Sequence, residues 1–480
     1  MPSFAVLMLV LNYTAAVLVI GSVLRRRKEP MAMLAWIFAI LLAPVLGMIL
    51  YVLIGSNRVR RSALRRRRRI ANLINKLRKW AGERAQTHDP DAEPRLPEDL
   101  ARIEHMGRRL ANLPATGGNE VRVWGEAEAT YAALEEAIRA AERHVHLEYY
   151  SWNADQTGRH FRDLLVQKAR SGVECRLLLD AVGCWRLGRR FLRPLLKAGV
   201  QVAFFLPLRP LRKRWSLHLR NHRKIAVMDG RVAFMGSQNI GDEYRGRLKR
   251  LSPWYDTHLR LVGPAALFLQ QTFAEDWYFA TREDLSSDTY FPRPDRRGST
   301  LVQLLPTGPD QDVGALGQII FAAVASAERS IRISTPYFVP DQALRMALLQ
   351  ACYRGVRVEL VLPTRSDSLI VLWAGRSFYA ELLQAGVEIY EFDAGVLHSK
   401  IITVDDRWCM VGSANMDVRS FRLNFEITSL IYDKSVASEL SQSIADHCRQ
   451  ARPIRMREVT GRRLHQQLLE GAARLLAPLL

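Results

Sequence analysis

Two stretches of this chain share one pattern. "HRKIAVMDGRVAFMGSQN" begins at His222 and "HSKIITVDDRWCMVGSAN" begins at His398, and both read H-x-K-x4-D-x6-G-S-x-N. The sequence around them repeats too. "AAERHVHLEYYSW" from Ala140 parallels "SAERSIRISTPYF" from Ser326, and "RSGVECRLLLD" parallels "YRGVRVELVLP". "LLKAGVQVAFF" parallels "LLQAGVEIYEF" before each half reaches its motif. Helical stretches alternate with short β-branched runs, the pattern of α/β units on a largely parallel sheet. The copies cover about residues 120–245 and 300–435. A fold of two pseudo-symmetric α/β lobes is therefore expected, with the functional site between them.

Each motif reads as a hairpin. "KIAVM" and "RVAFM" flank Asp229-Gly230, a two-residue turn signal, and Asp405-Asp406 holds the same place in the second copy. A tight two-residue turn pairs positions summing to 459 in the first copy and 811 in the second, setting His222 opposite Ser237 and His398 opposite Ser413. Alternate strand residues share a face. His and Lys at i and i+2 then point one way, and Ser237, Asn239, Ser413 and Asn415 can join them. Asp229 and Asp405 lie an odd number of residues from their histidines, at the turns, where a geometric role fits better than direct chemistry.

A doubled set of imidazole, ammonium, hydroxyl and amide suits a phosphate diester. One neutral imidazole attacks phosphorus while the other, protonated, gives its proton to the leaving alkoxide. Lysines and neutral donors hold the non-bridging oxygens, a task that a divalent ion performs elsewhere. Neither a metal nor another cofactor is expected. The five cysteines are an odd number and no two lie within four residues of each other, as for reduced core thiols rather than a zinc knuckle.

The formal net charge of +21 favours a polyanionic partner, nucleic acid or an anionic membrane. The N-terminus favours the membrane. Met1–Leu24 is uncharged, Arg25–Lys28 is basic, and Met31–Ser56 is again uncharged. Arg58–Arg69 then carries eight arginines. Either uncharged run is long enough to cross a bilayer. A cleaved signal peptide fits the first poorly, because no basic residue precedes it and no A-x-A site closes it. The heavier basic flank follows the second run, which puts the rest of the chain in the cytoplasm. Leu206–Arg220 mixes basic residues with Trp215 and leucines, as either a solvated loop or a membrane-facing lip. The amphipathic C-terminal "RRLHQQLLEGAARLLAPLL" suits core packing and membrane contact equally.

At the two motifs the chain resembles the phospholipase D superfamily, whose signature is a pair of H-x-K-x4-D sequences. "LAWIFAILLAPVLGMILYVLIG", "RLANLPATGGNEV", "STPYFVPD", "WYDTHLRLVGP" and "LEGAARLLAPLL" extend the likeness to the bacterial membrane cardiolipin synthases, over essentially the whole chain. The resemblance implies transfer of a phosphatidyl group between two phosphatidylglycerols, giving cardiolipin and glycerol through a phosphohistidine. It implies catalytic roles for His222, Lys224, Asp229, His398, Lys400 and Asp405, with His222 as nucleophile. Ser237, Asn239, Ser413 and Asn415 would contact phosphate. Similar enzymes place an acid behind each histidine, which implies Asp256 in the first half and Glu426 in the second.

The expected organisation is a two-helix transmembrane hairpin at 1–56, a basic juxtamembrane segment and linker at 57–118, and phospholipase D-like lobes at 119–290 and 291–480. The resemblance implies a multi-pass protein of the bacterial inner membrane that acts on phosphatidylglycerol and cardiolipin at an anionic membrane, without nucleic acid. A homo-oligomer is compatible with the sequence. Hydrolytic phospholipase D and phosphatidylserine synthesis share the chemistry and stay open as alternatives. A non-catalytic lipid scaffold would not need both motifs intact.

Overall fold

The computed structural model describes residues 2–25, 30–51, 71–85, 96–206, 219–248, 252–310, 314–366 and 368–477. Two compact units are present, Met1–Arg66 and Arg67–Leu480. In the first, Pro2–Leu24 forms one helix, of which Val6–Leu24 is long and apolar enough to cross a bilayer. The second uncharged run, expected as a continuous span, is divided. Helices Pro30–Leu42 and Pro44–Leu50 meet at Ala43, which has φ −138° and ψ 74°. Pro44 lacks an N–H and its ring crowds the preceding turn. Gly47 permits the bend, since a Cβ there would lie 2.4 Å from the Ala39 carbonyl oxygen. Ala16, Val23, Ile40 and Tyr51 pack together, with Trp36 edge-on to Tyr51. The basic connector at 26–29, the arginine run within 52–70, the acidic linker at 86–95 and most of the Leu206–Arg220 segment (207–218) lie outside the described residues.

The second unit carries the repeat. Its first half contributes β1 (Thr116–Glu126), β2 (His144–Tyr149), β3 (Glu174–Asp180), β4 (Gln201–Phe205), β5 (Arg220–Asn221), β6 (Ile225–Met228), β7 (Val232–Gly236) and β8 (Trp254–Val262). The second contributes β9 (Thr300–Thr307), β10 (Ser330–Ser334), β11 (Phe338–Val339), β12 (Arg357–Pro363), β13 (Glu388–Phe392) and β14 (Val396–Leu397). It continues with β15 (Ile401–Val404), β16 (Trp408–Gly412), β17 (Met416–Asp417), β18 (Asn424–Tyr432) and β19 (Arg452–Pro453). The ladders run β4-β3-β2-β6-β7-β8-β1 in one lobe and β13-β12-β10-β15-β16-β18-β9 in the other, the same order strand for strand. In each, the outer three strands are parallel and the motif hairpin is antiparallel. The sheets join where Thr116 of β1 pairs with Val302 of β9. Helices cover them over cores built around Leu147, Phe161 and Leu177 in one lobe and Ile333, Leu360 and Ile389 in the other.

The motif hairpins differ from the expected register by one residue. Met228 faces Val232 and Ile225 faces Met235, and likewise Val404 faces Trp408 and Ile401 faces Val411. The two-residue turns do form. Asp229, Gly230, Asp405 and Asp406 all have positive φ, and the N–H of Arg231 or Arg407 donates to the carbonyl of Met228 or Val404 at 3.0 Å. The ladder then passes over that arginine as a bulge. The shift removes Ser237 and Ser413 from the positions opposite their own histidines.

Candidate active site

The histidines are held by the lobe to which they do not belong. β5 runs parallel to β18, with Asn221 beside Phe425, and the His222 N–H donates to the Phe425 carbonyl at 2.9 Å. β14 runs parallel to β8, with Leu397 beside Tyr255, and the His398 N–H donates to the Tyr255 carbonyl at 2.7 Å. The residue after each accepting carbonyl is an acid. Glu426 therefore meets His222, with Nδ1 at 3.1 and 3.0 Å from its carboxylate oxygens. Asp256 meets His398, with Nδ1 at 3.0 and 3.2 Å. This corrects the pairing expected within each half: the acids are exchanged between lobes, because each histidine leaves its own sheet on a two-residue strand that docks on the other.

The motif serines support those acids. Ser237 Oγ donates to Asp256 and Ser413 Oγ donates to Glu426. Each serine thus stiffens the carboxylate behind the opposite histidine. Lys224 Nζ donates to the His222 carbonyl at 2.6 Å and lies 5.4 Å from the Tyr150 ring centre. Lys400 Nζ donates to the His398 carbonyl at 2.7 Å. Asn239 is tied locally, accepting from the Ser151 N–H at 3.1 Å and donating to the Tyr244 hydroxyl at 3.2 Å. Asn415 is buried, and its Oδ1 accepts no hydrogen bond among the described residues.

Asp229 and Asp405 lie away from the imidazoles. Asp229 accepts the backbone N–H groups of Glu142, Arg143 and His144, each at 2.8 Å, fixing the entry to β2. Asp405 does the same for Glu328, Arg329 and Ser330 at 2.9, 2.7 and 2.8 Å, at the entry to β10. Short acidic side chains tolerate the left-handed conformation that such turns require.

Burial sets the electrostatics. It pushes His222 down to about 4, against the opposing pull of Glu426, and pushes His398 down with help from the Lys400 charge. Lys224 is pushed down to about 7, again mainly by burial. Burial raises both carboxyls, but the adjacent histidine and lysine outweigh it, and Glu426 and Asp256 stay below their ordinary values. These surroundings favour neutral imidazoles and ionised acids, and a bound phosphate anion would favour protonation of its bases.

Several contacts have no counterpart in the sequence expectations. Tyr150 stands edge-on to His222 at 4.9 Å, and Trp254 is tilted against His398 at 5.2 Å. Trp254 Nε1 also donates to Asp256 at 2.9 Å. Glu426 receives Ser420 Oγ at 3.0 Å and Asn424 Nδ2 at 3.1 Å. The i−2 spacing of Asn424 and of Trp254 from the two acids was the available signal, since such residues share a strand face. Beneath His222, Asp180 accepts the Asn221 N–H at 2.9 Å.

A family model described as "Cardiolipin synthase, PLD-like domain" matches residues 134–247 and 320–448, one segment around each motif. A second, "Phospholipase_D-nuclease N-terminal", matches residues 14–56. The cardiolipin synthase of Geobacillus thermodenitrificans is 37% identical over 457 residues, covering 94% of this chain and 90% of that one. The chain belongs to the cardiolipin synthase family. Cardiolipin synthase 2 of Bacillus anthracis is 36% identical, covering 98% of this chain and 91% of its own length. Among solved structures, the phosphatidylserine synthase of Haemophilus influenzae Rd KW20 superposes with a TM-score of 0.59 at 16% identity, over 79% of this chain and 100% of that one. That likeness is one of fold. Family membership makes the protein a phosphatidyltransferase of the phospholipase D superfamily with phospholipid substrates, and its apolar N-terminal helix suits a membrane anchor.

Proposed function

We propose that the site moves a phosphatidyl group from one phosphatidylglycerol to another in two displacements. His222 Nε2 attacks the phosphorus of the first lipid. The bond to the headgroup glycerol breaks, and His398 protonates the departing alkoxide. His398 then takes a proton from a headgroup hydroxyl of a second phosphatidylglycerol. That oxygen attacks phosphorus, the P–N bond breaks, and cardiolipin leaves. Lys224 and Lys400 hold the non-bridging oxygens, so activity should persist in EDTA.

The observation that carries this reading is the exchanged pair of carboxylates. Each holds Nδ1 of one imidazole and leaves Nε2 for chemistry, as two opposed roles in one site require. The assignment of His222 as nucleophile rests on the resemblance to enzymes in which the N-terminal motif attacks. Glu426 receives three side-chain donors besides His222, and Asp256 receives two besides His398. Asp229 and Asp405 act by fixing the hairpin tips. The arginine run argues for a multi-pass protein with its catalytic unit in the cytoplasm. Charge then serves the membrane rather than nucleic acid, and a homo-oligomer stays compatible.

Purified protein incubated with phosphatidylglycerol alone tests the reading. Cardiolipin and free glycerol in equal amounts are expected. Phosphatidic acid as the main product would make the protein a hydrolase instead.

A further inference from the structure

Both lobes expose large apolar side chains at the end of their sheets that holds the site, though not at that end alone. In the first lobe, Asp180 closes β3 and bonds the amide next to His222. Five residues on, Trp185 is 67% exposed, with the Arg186 guanidinium 5.1 Å from its ring centre. The stretch Ala181–Val200 holds four arginines and a lysine and no acid. In the second lobe, Ser334 closes β10 with its Oγ 2.6 Å from Ser399 Oγ, between His398 and Lys400. β12 lies parallel beside β10 with Ser334 paired to Val361, so the helix Leu369–Arg376 emerges at the same end, with Leu369 and Ile370 exposed.

Against that helix packs Leu464–Leu476, held by Arg462 and Arg474 on the carbonyls of Arg376 and Ser377. It buries little besides Ala473 and Ala477. Leu464, Leu468 and Leu475 share one side of the helix by their spacing and are 70%, 64% and 82% exposed. An amphipathic helix in a soluble setting turns its leucines inward. This one turns them out, beside arginines, against a helix that emerges at the site end. An exposed apolar face rimmed by basic residues fits the headgroup boundary of an anionic bilayer.

We propose that the catalytic unit seats its site end on an anionic bilayer through Trp185, Leu369, Ile370 and the leucine face of the C-terminal helix, so that lipid headgroups reach the histidines without leaving the interface. The proposal rests on the reading of the site as one for membrane phospholipid.

The test uses the full-length protein in phosphatidylglycerol vesicles. Trp185→Cys, Leu468→Cys and Tyr353→Cys are made in a Cys352→Ser background, the other four cysteines being buried. Each carries an environment-sensitive fluorophore, and quenching is read with nitroxide-labelled acyl chains. Tyr353 is the control: it is 75% exposed but precedes β12, at the opposite end of the sheet. Quenching at 185 and 468 should exceed that at 353 by about threefold or more, as for side chains set into the acyl boundary. Equal quenching at all three positions overturns the proposal. So does a label at 468 that is shielded from lipid and becomes accessible only on dilution of the protein, which would mean that a second copy covers the face. The readout needs no turnover. Quenching as expected in a protein that forms no cardiolipin would leave the docking face standing and remove the catalytic reading.

Discussion

The two halves of the catalytic unit share strand order, turn and capping aspartate, yet they surround their histidines differently. His222 is backed by a glutamate that also receives Ser413, Ser420 and Asn424. His398 is backed by an aspartate that receives Ser237 and the Trp254 indole. The fold is thus repeated where it holds the backbone and specialised where it tunes a proton. Identical frames with unequal acids are what a site needs if one imidazole attacks while the other shuttles a proton.

The sharpest way to break the comparison is to remove each histidine in turn. His222→Ala and His398→Ala should each lower cardiolipin formation by about a thousandfold or more, since the groups act as a unit. Phosphohistidine mapping separates them. Label retained on His222 in the His398→Ala protein fits the assigned roles, and label on His398 in the His222→Ala protein reverses them.

The exchanged acids come next. Glu426→Gln and Asp256→Asn should each cost about ten- to a hundredfold in kcat, as expected for groups that orient a catalytic imidazole. Imidazole titration by NMR tells whether the exchange is real. Glu426→Gln should move His222 and leave His398 nearly in place, and Asp256→Asn the converse. Shifts confined to the acid's own half would contradict the crossed geometry.

Acidity probes one centre. Lys224 is pushed down to about 7, and only its protonated form attracts a phosphate oxygen. The Lys224 contribution should therefore be present below that value and lost as pH rises through it, in addition to the loss of protonated His398, which burial also pushes down. His222, pushed down to about 4, must be neutral to attack, so activity should also fall as pH drops through that value. In kcat/KM, which reports the free enzyme, Lys224→Arg should push the alkaline limb upward, because guanidinium stays protonated. An unmoved limb would assign it to another group.

The smallest effect should be symmetric. Asp229→Asn and Asp405→Asn each weaken a carboxylate that accepts three amides, at a cost of about 1–3 kcal/mol in thermal or denaturant unfolding. Similar losses in both would support a shared framing role. A selective collapse of kcat in one, with stability unchanged, would give that aspartate a direct part in the chemistry.

The frame was legible because its signals are local. Glycine turns, β-branched runs and the H-x-K spacing announce themselves within a dozen residues. The resemblance pointed to the acids Asp256 and Glu426, but their pairing was not legible, because His222 and Glu426 lie 204 positions apart and His398 and Asp256 lie 142 apart. Similarity between the halves also suggested that each would serve itself. The hairpin slipped by one because Asp-Gly and Asp-Asp specify the turn but not the bulge at Arg231 or Arg407. In the N-terminal unit, an uncharged run read as one span, although Pro44 within it carried the warning.

The crossed acids also bear on how such a protein is made. A ribosome threads the first half out before the second. At that stage His222 exists but Phe425 and Glu426 do not, so the imidazole lacks both its backbone anchor and its carboxylate. His222 gains both only once most of the chain has emerged and β5 has docked on β18. The geometry that divides each centre between distant stretches of sequence therefore ties its assembly to the synthesis of nearly the whole chain.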